Sequence, residues 1–421
     1  MSSPARQVRT VVVVGAGLVG LSTAWFLQEQ GVDVTVLDHT GVAAGSSWGN
    51  AGWISPDLVL PLPEPSVLRY GLKSLLDPSS ALYVPFTFDP NLWAFLARFA
   101  MHCTMKQWRR AMSNYVGINR LAFSAYDDLA RGGVAASTTE APIMAAFEHR
   151  DESKNLRQEL DLLEQLGQPV LTNDLSGEEA RRVVPHLSDR VNLVMQLKGQ
   201  RFFDPGAFAN ALADAIRQRG GTIVAGVTVT ALRDEGTCET VVSDNDNDKT
   251  FSADAIVLAT GAWLNSLAKD VGVRMRVQAG RGYSFSVPTE TPVESPIYFP
   301  ALRVACTPYR GGLRVGGTME FRSANAPLDP RRVDALVKVA TPMLRGVRWD
   351  ALSDAWVGPR PVTSDGMPLI GRSARPRTYV AGGHGMWGIA LGPITGKLLA
   401  REIVTGVRHD ALRAFDPLRS R

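Results

Sequence analysis

The chain has 421 residues, of which 45% are hydrophobic and 20% are charged, which is enough for roughly two to three globular domains. Basic residues exceed acidic ones by only 45 to 41 and form no Lys- or Arg-rich run, which argues against a nucleic-acid-binding protein. Three isolated cysteines, at 103, 238 and 306, argue against a disulfide framework or a metal site and favour a reducing cytoplasm, and no stretch is apolar enough to span a membrane.

The N-terminal residues have the pattern of a strand, a glycine-rich turn, a helix and a second strand. Val11–Val14 is a run of β-branched residues, typical of a buried parallel strand. The turn Gly15-Ala16-Gly17-Leu18-Val19-Gly20 follows, and then a helix that Gly31 ends. The second strand, Val34–Leu37, leads to Asp38.

This unit predicts a dinucleotide-binding site. Gly15 permits the tight turn, Gly17 lets the backbone approach a pyrophosphate, and Gly20 lets the helix pack close to the strand. The helix N-terminus adds N–H groups and a partial positive charge, so the three residues between the glycines are candidate contacts as well. Asp38 lies where an acid binds ribose hydroxyls. A glycine-rich turn without a ligand is the alternative.

The middle of the chain has the patterns of a separate domain. Residues 55–110 are irregular and Pro-rich, and they end in the aromatic-rich segment Leu92–Trp108. An apolar stripe over Leu156–Leu166 predicts a helix, and Ser176 begins another with capping-box spacing to Glu179. Residues from about 273 to 320 alternate as strands with Gly and Pro turns.

Two further strands run into glycine turns, far from the first in sequence. Ala255–Leu258 leads to Thr260 and Gly261, and Tyr379–Ala381 leads to the turn 382–388 and a closing helix. The ligands of parallel sheets lie at the carboxyl ends of the strands, so these units imply one discontinuous nucleotide-binding domain. Additional strands and a polar turn are predicted at Thr222–Val224, Val227–Leu232 and Asn245–Lys249.

The loop after the second strand is rich in small residues and hydroxyls. It reads Gly45-Ser46-Ser47-Trp48-Gly49-Asn50-Ala51-Gly52, which suits backbone contact with a phosphate or a flavin ring. It also matches the G-x-S-x-G pattern of a hydrolase nucleophile, but that motif needs a strand-to-helix turn. Here the loop leads to Pro56, so the hydrolase interpretation is disfavoured.

Six segments resemble the family of FAD-dependent D-amino-acid dehydrogenases, glycine oxidases and sarcosine oxidases. They occur in the family's order over nearly the whole chain: VVVVGAGLVGLSTAWFL, GSSWGNAGWISP, AIVLATGAW, GGLRVGGTMEF, WVGPRPVTSDGMPLIG and YVAGGHGMWGIALGP. The GNAGWISP and GHG segments are most similar to those of D-amino-acid dehydrogenases. Family members usually carry Glu at the end of the second strand, where this chain has the shorter Asp38.

The resemblance implies FAD as the cofactor and suggests its contacts. The adenine half is expected at the backbone of Val227 and the pyrophosphate side at Thr260 and Gly261, with a core position for Val227 and a plain turn at Gly261 as alternatives. The flavin half is expected at Ser46, Ser47, Asn50, Ala51 and Gly52. Some sarcosine oxidases hold flavin through a cysteine after the motif that matches Arg360; this chain has none there, so non-covalent FAD is expected.

The turn before the closing helix is expected to direct N–H groups at the pyrimidine edge of the flavin, where reduction places negative charge. Its candidate contacts are Gly383, His384, Gly385, Met386 and Gly388. His384 is also a catalytic candidate, because it can add positive charge or a hydrogen bond, and a structural histidine is the alternative.

Two more residues are candidates for the substrate site. Arg360 lies between prolines, and its guanidinium can bind a carboxylate bidentately, the role that the resemblance also implies; a surface ion pair is the alternative. Tyr283 is either a second pocket residue or a tyrosine of the core.

These observations predict an α/β flavoprotein of two domains. A discontinuous Rossmann-like FAD domain would comprise residues 1–55, 200–272 and 355–421, and a mixed β-sheet and helix substrate domain residues 56–199 and 273–354. The predicted reaction is oxidative deamination of a small amino acid, of D configuration by the resemblance, by hydride transfer to flavin.

Alternatives remain for the substrate and for partners. The substrate can instead be an N-methyl amino acid, a hydroxyproline or a specialised biosynthetic amine, and the electron acceptor can be oxygen or a quinone. The chain can also be a flavin-binding subunit that needs a partner. Leu92–Trp108 would then contact a partner, an oligomer or the inner face of the membrane, whereas a buried helix of a cytoplasmic enzyme is the simpler interpretation.

Overall fold

The computed structural model describes residues 8–67, 80–85, 87–236, 238–243 and 249–419. In chain order the strands are β1 (Thr10–Val14), β2 (Asp33–Asp38), β3 (Trp53–Ile54), β4 (Leu82–Tyr83), β5 (Thr139–Glu140), β6 (Ile143–Phe147), β7 (Thr172–Ser176), β8 (Leu193–Leu197), β9 (Arg201–Phe202), β10 (Thr222–Ala225), β11 (Val229–Asp234), β12 (Glu239–Ser243), β13 (Thr250–Ala253), β14 (Ala255–Leu258), β15 (Val277–Pro288), β16 (Ile297–Phe299), β17 (Val304–Tyr309), β18 (Gly312–Phe321), β19 (Ser353–Thr363), β20 (Leu369–Arg372) and β21 (Thr378–Gly382). The longer helices are α1 (Leu18–Gln28), α2 (Pro90–His102), α3 (Met105–Asn119), α4 (Ala122–Arg131), α5 (Lys154–Gln165), α6 (Gly177–Val183), α7 (Pro205–Gln218), α8 (Pro330–Ala340) and α9 (Gly388–Thr405).

A six-stranded sheet with the order β10-β2-β1-β14-β21-β20 contains the N-terminal unit. Its pairings are parallel except that β20 runs antiparallel to β21. One face packs against α1, α4, α7 and α9, and the other against the small sheet β11-β12-β13. Burial on both faces explains the β-branched sequence of β1. The strands come from three separate parts of the chain, which confirms the predicted discontinuous Rossmann-like fold.

A nine-stranded mixed sheet covers the other side of the site. Its order is β19-β15-β18-β17-β16-β6-β8-β7, and β4 pairs with β18. Helices α6 and α8 pack on one face and α3 and α5 on the other, each through its apolar stripe. This is the predicted mixed sheet with helices. Within the described ranges, no helix combines the length and the hydropathy that a membrane crossing requires.

Most predicted elements are present with shifted ends. Helix α1 stops at Gln28, and Gly31 has the expected left-handed φ of 74°. The capping box of α6 is formed, since the Ser176 N–H donates to Glu179 Oε2 at 2.8 Å and the Glu179 N–H donates to Ser176 Oγ at 3.3 Å. The predicted strand at Val227 begins two residues later as β11. The predicted polar turn at 245–249 falls mainly outside the described residues.

The predicted domain boundaries stay a prediction, and packing departs from them at two places. Helix α4, predicted in the substrate domain, packs its buried side chains against α1 and α9, and the Tyr126 hydroxyl donates to the carbonyl of Ile389 at 2.6 Å. Strand β19 lies mostly in the predicted FAD domain, which resumes at residue 355, but is an edge strand of the nine-stranded sheet. Both departures are tertiary contacts between distant parts of the chain, which local sequence patterns do not contain.

Candidate active site

Two cavities meet between the sheets. The first, of about 350 Å³, lies beyond the carboxyl ends of β1, β2, β14 and β21. The second, of about 330 Å³, lies against the nine-stranded sheet. The residues that line both are Ser46, Asn50, Arg360 and Met386. A ligand in one cavity can therefore touch a ligand in the other at this boundary.

The first glycine turn has the geometry that a dinucleotide site requires. Gly15 has a φ of 115°, and a Cβ on it would lie 2.4 Å from the carbonyl oxygen of Ala259. A Cβ on Gly20 would lie 1.9 Å from the carbonyl oxygen of Gly15, so α1 packs directly on the turn. Gly17 is the N-cap of α1 and lines the first cavity. Only glycine satisfies the contacts at the first and third positions.

Most of the predicted cofactor contacts line the first cavity. They are Gly15, Gly17, Leu18, Val19, Asp38, Ser46, Ser47, Asn50, Val227, Thr260, Gly261, His384, Gly385, Met386 and Gly388. The predicted contacts that do not line it are Ala16, Gly20, Ala51, Gly52 and Gly383. Ala16 is buried under the turn, and Ala51 lines the second cavity instead.

His39, Trp263 and Asn325 are among the lining residues that were not predicted from the sequence. The Trp263 indole N–H donates to Asn325 Oδ1 at 2.8 Å, and its ring centroid lies 5.2 Å from that of His39. His39 and Trp263 follow almost directly on the predicted Asp38 and Gly261, so their position next to a strand end was an available signal.

The polar groups of the first cavity fit the pyrophosphate and sugars of FAD. The Leu18 N–H donates to Ser47 Oγ at 3.1 Å, which leaves the serine proton for a ligand. The Thr260 hydroxyl is buried and has no hydrogen-bond partner among the described residues, so it is available for one. Asp38 Oδ2 accepts from the Ala16 N–H and Oδ1 from the Thr40 and Gly41 N–H groups, each at 2.8 Å. Asp38 thus organises the turn, and Oδ2, which accepts only one of these bonds, keeps a lone pair for a ribose hydroxyl.

Arg360 lies on β19 at the boundary of the two cavities. Its guanidinium crosses the backbone of Gly282, where a Cβ would lie 2.1 Å from Cζ. Nη1 donates to the carbonyl of Thr318 at 2.7 Å, and no described carboxylate pairs with it. Desolvation lowers the pKa of Arg360 to about 10, so it remains a cation at neutral pH. A buried cation without an anion is a ready site for the carboxylate of a substrate.

His384 lies in the turn between β21 and α9. Its ring is 2% exposed, and Nε2 is 3.0 Å from Thr395 Oγ1. Burial lowers the pKa of His384 to about 4, so the imidazole is neutral at pH 7. Of the two contributions predicted for His384, burial therefore disfavours the positive charge, and the hydrogen bond remains. Positive potential at this edge comes instead from the N-terminus of α9, which begins at Gly388.

Tyr283 borders the second cavity but belongs to the core. Its side chain is 1% exposed and packs in the hydrophobic cluster of the nine-stranded sheet. The hydroxyl donates to Glu320 Oε2 at 2.7 Å, and Glu320 also pairs with Arg281 at 3.3 Å. Because Glu320 engages its hydroxyl inside the core, this arrangement favours the core alternative for Tyr283, and its catalytic role stays a prediction.

Polar residues of the second cavity were also missed. Glu64, Glu159 and Arg303 line it together with Tyr298. Arg303 was visible in the sequence without a means of ranking it, and the two acids come from a Pro-rich segment and from the polar side of α5. Nothing local marks these positions, because only the fold brings them together.

Comparison with known proteins supports the same cofactor. The chain matches the DAO family, described as FAD dependent oxidoreductase, over residues 10–402. A D-amino acid dehydrogenase of Methylobacterium nodulans is 30% identical over 406 residues, which cover 94% of this chain and 95% of that protein.

Solved structures share the fold at lower identity. Glycine oxidase from Geobacillus kaustophilus has a TM-score of 0.74 at 21% identity, covering 98% of this chain and 100% of the other. L-alpha-glycerophosphate oxidase from Mycoplasma pneumoniae, solved with FAD bound, has a TM-score of 0.72 at 18% identity and covers 94% of each chain. The family resemblance noted in the sequence is confirmed, and the chain belongs to the DAO family of FAD-dependent oxidoreductases.

Proposed function

We propose that this enzyme oxidises an amino acid at the carbon that carries the amine. The observation that carries the proposal is Arg360, a buried cation without a described anion at the boundary between the nucleotide cavity and the second cavity. A substrate carboxylate on Arg360 places the adjacent α-carbon at that boundary. The related D-amino acid dehydrogenase supports D configuration for the substrate.

The reaction removes two electrons and leaves an imine. FAD, held by the residues of the first cavity, would supply the two-electron acceptor that this oxidation needs. The neutral amine supplies its lone pair to the carbon as the C–H bond breaks, and water then converts the imine to a 2-oxo acid and ammonia. His384 is neutral and paired with Thr395, so the amine proton is lost to solvent before oxidation.

The residues of the chain orient the substrate and exclude water. Arg360 fixes the carboxylate, and the N-terminus of α9 stabilises negative charge that develops at the edge of the cofactor. The Pro-rich loop forms one wall of the second cavity, held by two indoles. The Trp387 N–H donates to the carbonyl of Leu60 at 2.6 Å and the Trp108 N–H to that of Pro61 at 3.1 Å.

An anaerobic experiment tests the proposal. The purified, FAD-loaded protein is mixed with the D and L forms of alanine and proline, with glycine and with sarcosine, while flavin absorbance is followed. Bleaching by amino acids of one configuration supports the proposal and defines the chirality. Bleaching by sarcosine alone favours an N-methyl amine substrate instead. A protein that none of these amino acids, nor longer ones, can bleach contradicts amino-acid oxidation. Release of intact FAD on denaturation checks that the cofactor is non-covalent.

The exposed residues of α2 and α3 are candidates for contact with a quinone-containing membrane. Trp93, Met101 and Met105 are 45%, 65% and 48% exposed, while Phe95 and Phe99 on the other face are buried against the nine-stranded sheet. Exposed basic residues follow at Lys106, Arg109 and Arg110. Apolar and basic residues on one surface are the combination that binds anionic bilayers, and it would place the protein on the inner face.

Sedimentation with anionic vesicles tests this contact. The wild type is expected to pellet, and a Trp93→Ser, Met101→Ser double variant to remain in solution with unchanged flavin bleaching. Peroxide formation in air, without vesicles or quinone, would favour oxygen as the acceptor.

A further inference from the structure

The second cavity extends from Arg360 to a cluster of ionisable residues on other elements. Glu64 lies in the Pro-rich loop, Glu159 on α5, and Arg303 in the turn before β17. Arg303 Nη2 lies 3.2 Å from Glu64 Oε1, and the Ser66 hydroxyl also donates to that oxygen. Glu159 hydrogen-bonds to Glu64, and both carboxyls border the cavity.

The cluster holds more acid than base. It contains two carboxyl groups and the Arg303 guanidinium, and the Tyr298 phenol stays neutral because burial raises its pKa to about 12. Burial and the neighbouring Glu64 raise the pKa of Glu159 well above its ordinary value. A cation next to the pair would favour ionisation of both carboxyls, because it would offset the second negative charge.

The cavity is larger than a glycine or alanine substrate requires. Its volume of about 330 Å³ lies at the lower end of the range for sites that enclose drug-sized ligands, about 300–1,000 Å³. Its walls include the apolar side chains Leu58, Leu60, Met319 and Phe321. Such walls suit a chain of methylene groups, as long charged side chains present elsewhere in proteins.

The two ends of the cavity carry ionisable groups of opposite charge. Arg360 is a buried cation without a described anion. At the other end, the two carboxyl groups of Glu64 and Glu159 outnumber the one neighbouring guanidinium of Arg303. We propose that Glu64 and Glu159 bind a second, cationic group of the substrate, which makes the preferred substrate an amino acid with an ammonium or guanidinium group on an apolar stem. This inference rests on the proposed amino-acid oxidation and replaces the small substrate expected from the resemblance.

Matched substrates test the inference on the FAD-loaded enzyme. Anaerobic flavin reduction is measured with the D and L forms of lysine, arginine, norleucine, citrulline and glutamate. Norleucine has the stem of lysine without its charge, and citrulline has the shape of arginine without its charge. For the reactive configuration, kcat/KM for lysine or arginine is expected to exceed that for the neutral analogue roughly 10- to 100-fold, the value of a hydrogen bond to a charged group.

Variants assign the preference to the pair. Glu159→Gln and Glu64→Gln are expected to remove most of the preference in kcat/KM for lysine over norleucine. Glu159→Lys is expected to favour glutamate. Glu164→Gln is the control, because Glu164 is an exposed acid on the same helix and does not line the cavity. Its ratio of kcat/KM for lysine to kcat/KM for norleucine is expected to equal that of the wild type.

The outcomes separate this inference from the proposed function. If norleucine, alanine or citrulline reduces the flavin as well as the basic amino acids do, the cationic subsite is refuted while amino-acid oxidation stands. If no amino acid reduces it, amino-acid oxidation itself fails. The wild-type ratio decides the question even if a Glu64 or Glu159 variant does not fold.

Discussion

Replacing Arg360 by methionine should separate activity from stability. The lowered pKa of Arg360, about 10 against 12.5 for an exposed arginine, corresponds to about 3 kcal/mol of unfavourable charge burial in the protein without substrate. The charge of Arg360 lowers the free energy of unfolding because the folded state disfavours the cation at every pH below that pKa. A substrate carboxylate relieves this cost when it binds, so the arginine destabilises the free enzyme in order to hold its ligand.

Methionine keeps the volume of the side chain and removes the charge. It also leaves the Thr318 carbonyl without a donor, which costs about 1–3 kcal/mol and offsets most of the gain. The melting temperature of the FAD-saturated variant should therefore stay close to that of the wild type. Its kcat/KM should fall roughly 30- to 5,000-fold, which corresponds to about 2–5 kcal/mol, the cost of truncating one partner of a buried charge pair.

Two assays check this expectation. Stopped-flow flavin reduction gives kcat/KM, and thermal unfolding with excess FAD gives the melting temperature. Arg331→Met is the matched control, because Arg331 is 70% exposed and bound to Asp329 outside both cavities. Unchanged kinetics in Arg360→Met would remove Arg360 from the site. A large fall in melting temperature would show that it supports the fold instead.

Other predictions follow from the buried polar groups. Thr260→Val should weaken FAD binding by about 0.5–1.5 kcal/mol, seen as faster loss of flavin on dilution, if the free hydroxyl bonds to the cofactor. Tyr283→Phe should leave the flavin-reduction rate unchanged but destabilise the protein by about 1–3 kcal/mol, because buried Glu320 loses a donor. Since His384 is neutral, kcat of His384→Asn should have the same pH profile between pH 6 and 8 as the wild type. KM for a basic substrate should fall as pH rises, because Glu159 must lose its proton to bind a cation, and Glu159→Gln should remove this dependence.

The nucleotide side of the molecule was predictable because its requirements are local. The turn requires glycine at Gly15 through its φ of 115°, and Gly20 is required by contact with the nearby Gly15 carbonyl. The β-branched residues of β1 likewise indicate a buried strand. Strand ends followed by glycine turns then place distant segments at one edge of a parallel sheet. The position of Asp38 followed from the same local pattern, although its three bonds to backbone N–H groups did not.

The residue roles that the sequence left open depended on burial, which is a property of the assembled fold. His384 was expected to add a positive charge or a hydrogen bond, and α9 and β19 enclose it, which favours the neutral form. Tyr283 was equally compatible with the pocket and the core, and only the pairing of β15 with β18 shows that its hydroxyl meets Glu320. In both cases the identity of the residue was informative, but the protonation state or direction of the side chain was not.

The two ends of the second cavity show why substrate choice is the least predictable property of such a chain. Arg360 could be found from sequence because the backbone around it is fixed by Pro359 and Pro361 and because a substrate carboxylate demands an arginine. Glu64 and Glu159 have no role that every amino-acid substrate would require, since they face a part of the substrate that does not react. They come from a loop and a helix that the fold alone brings together, and a change at either one alters specificity without touching the chemistry. An enzyme of this fold can therefore keep its cofactor turn and its carboxylate anchor while the far wall of the cavity selects a different side chain.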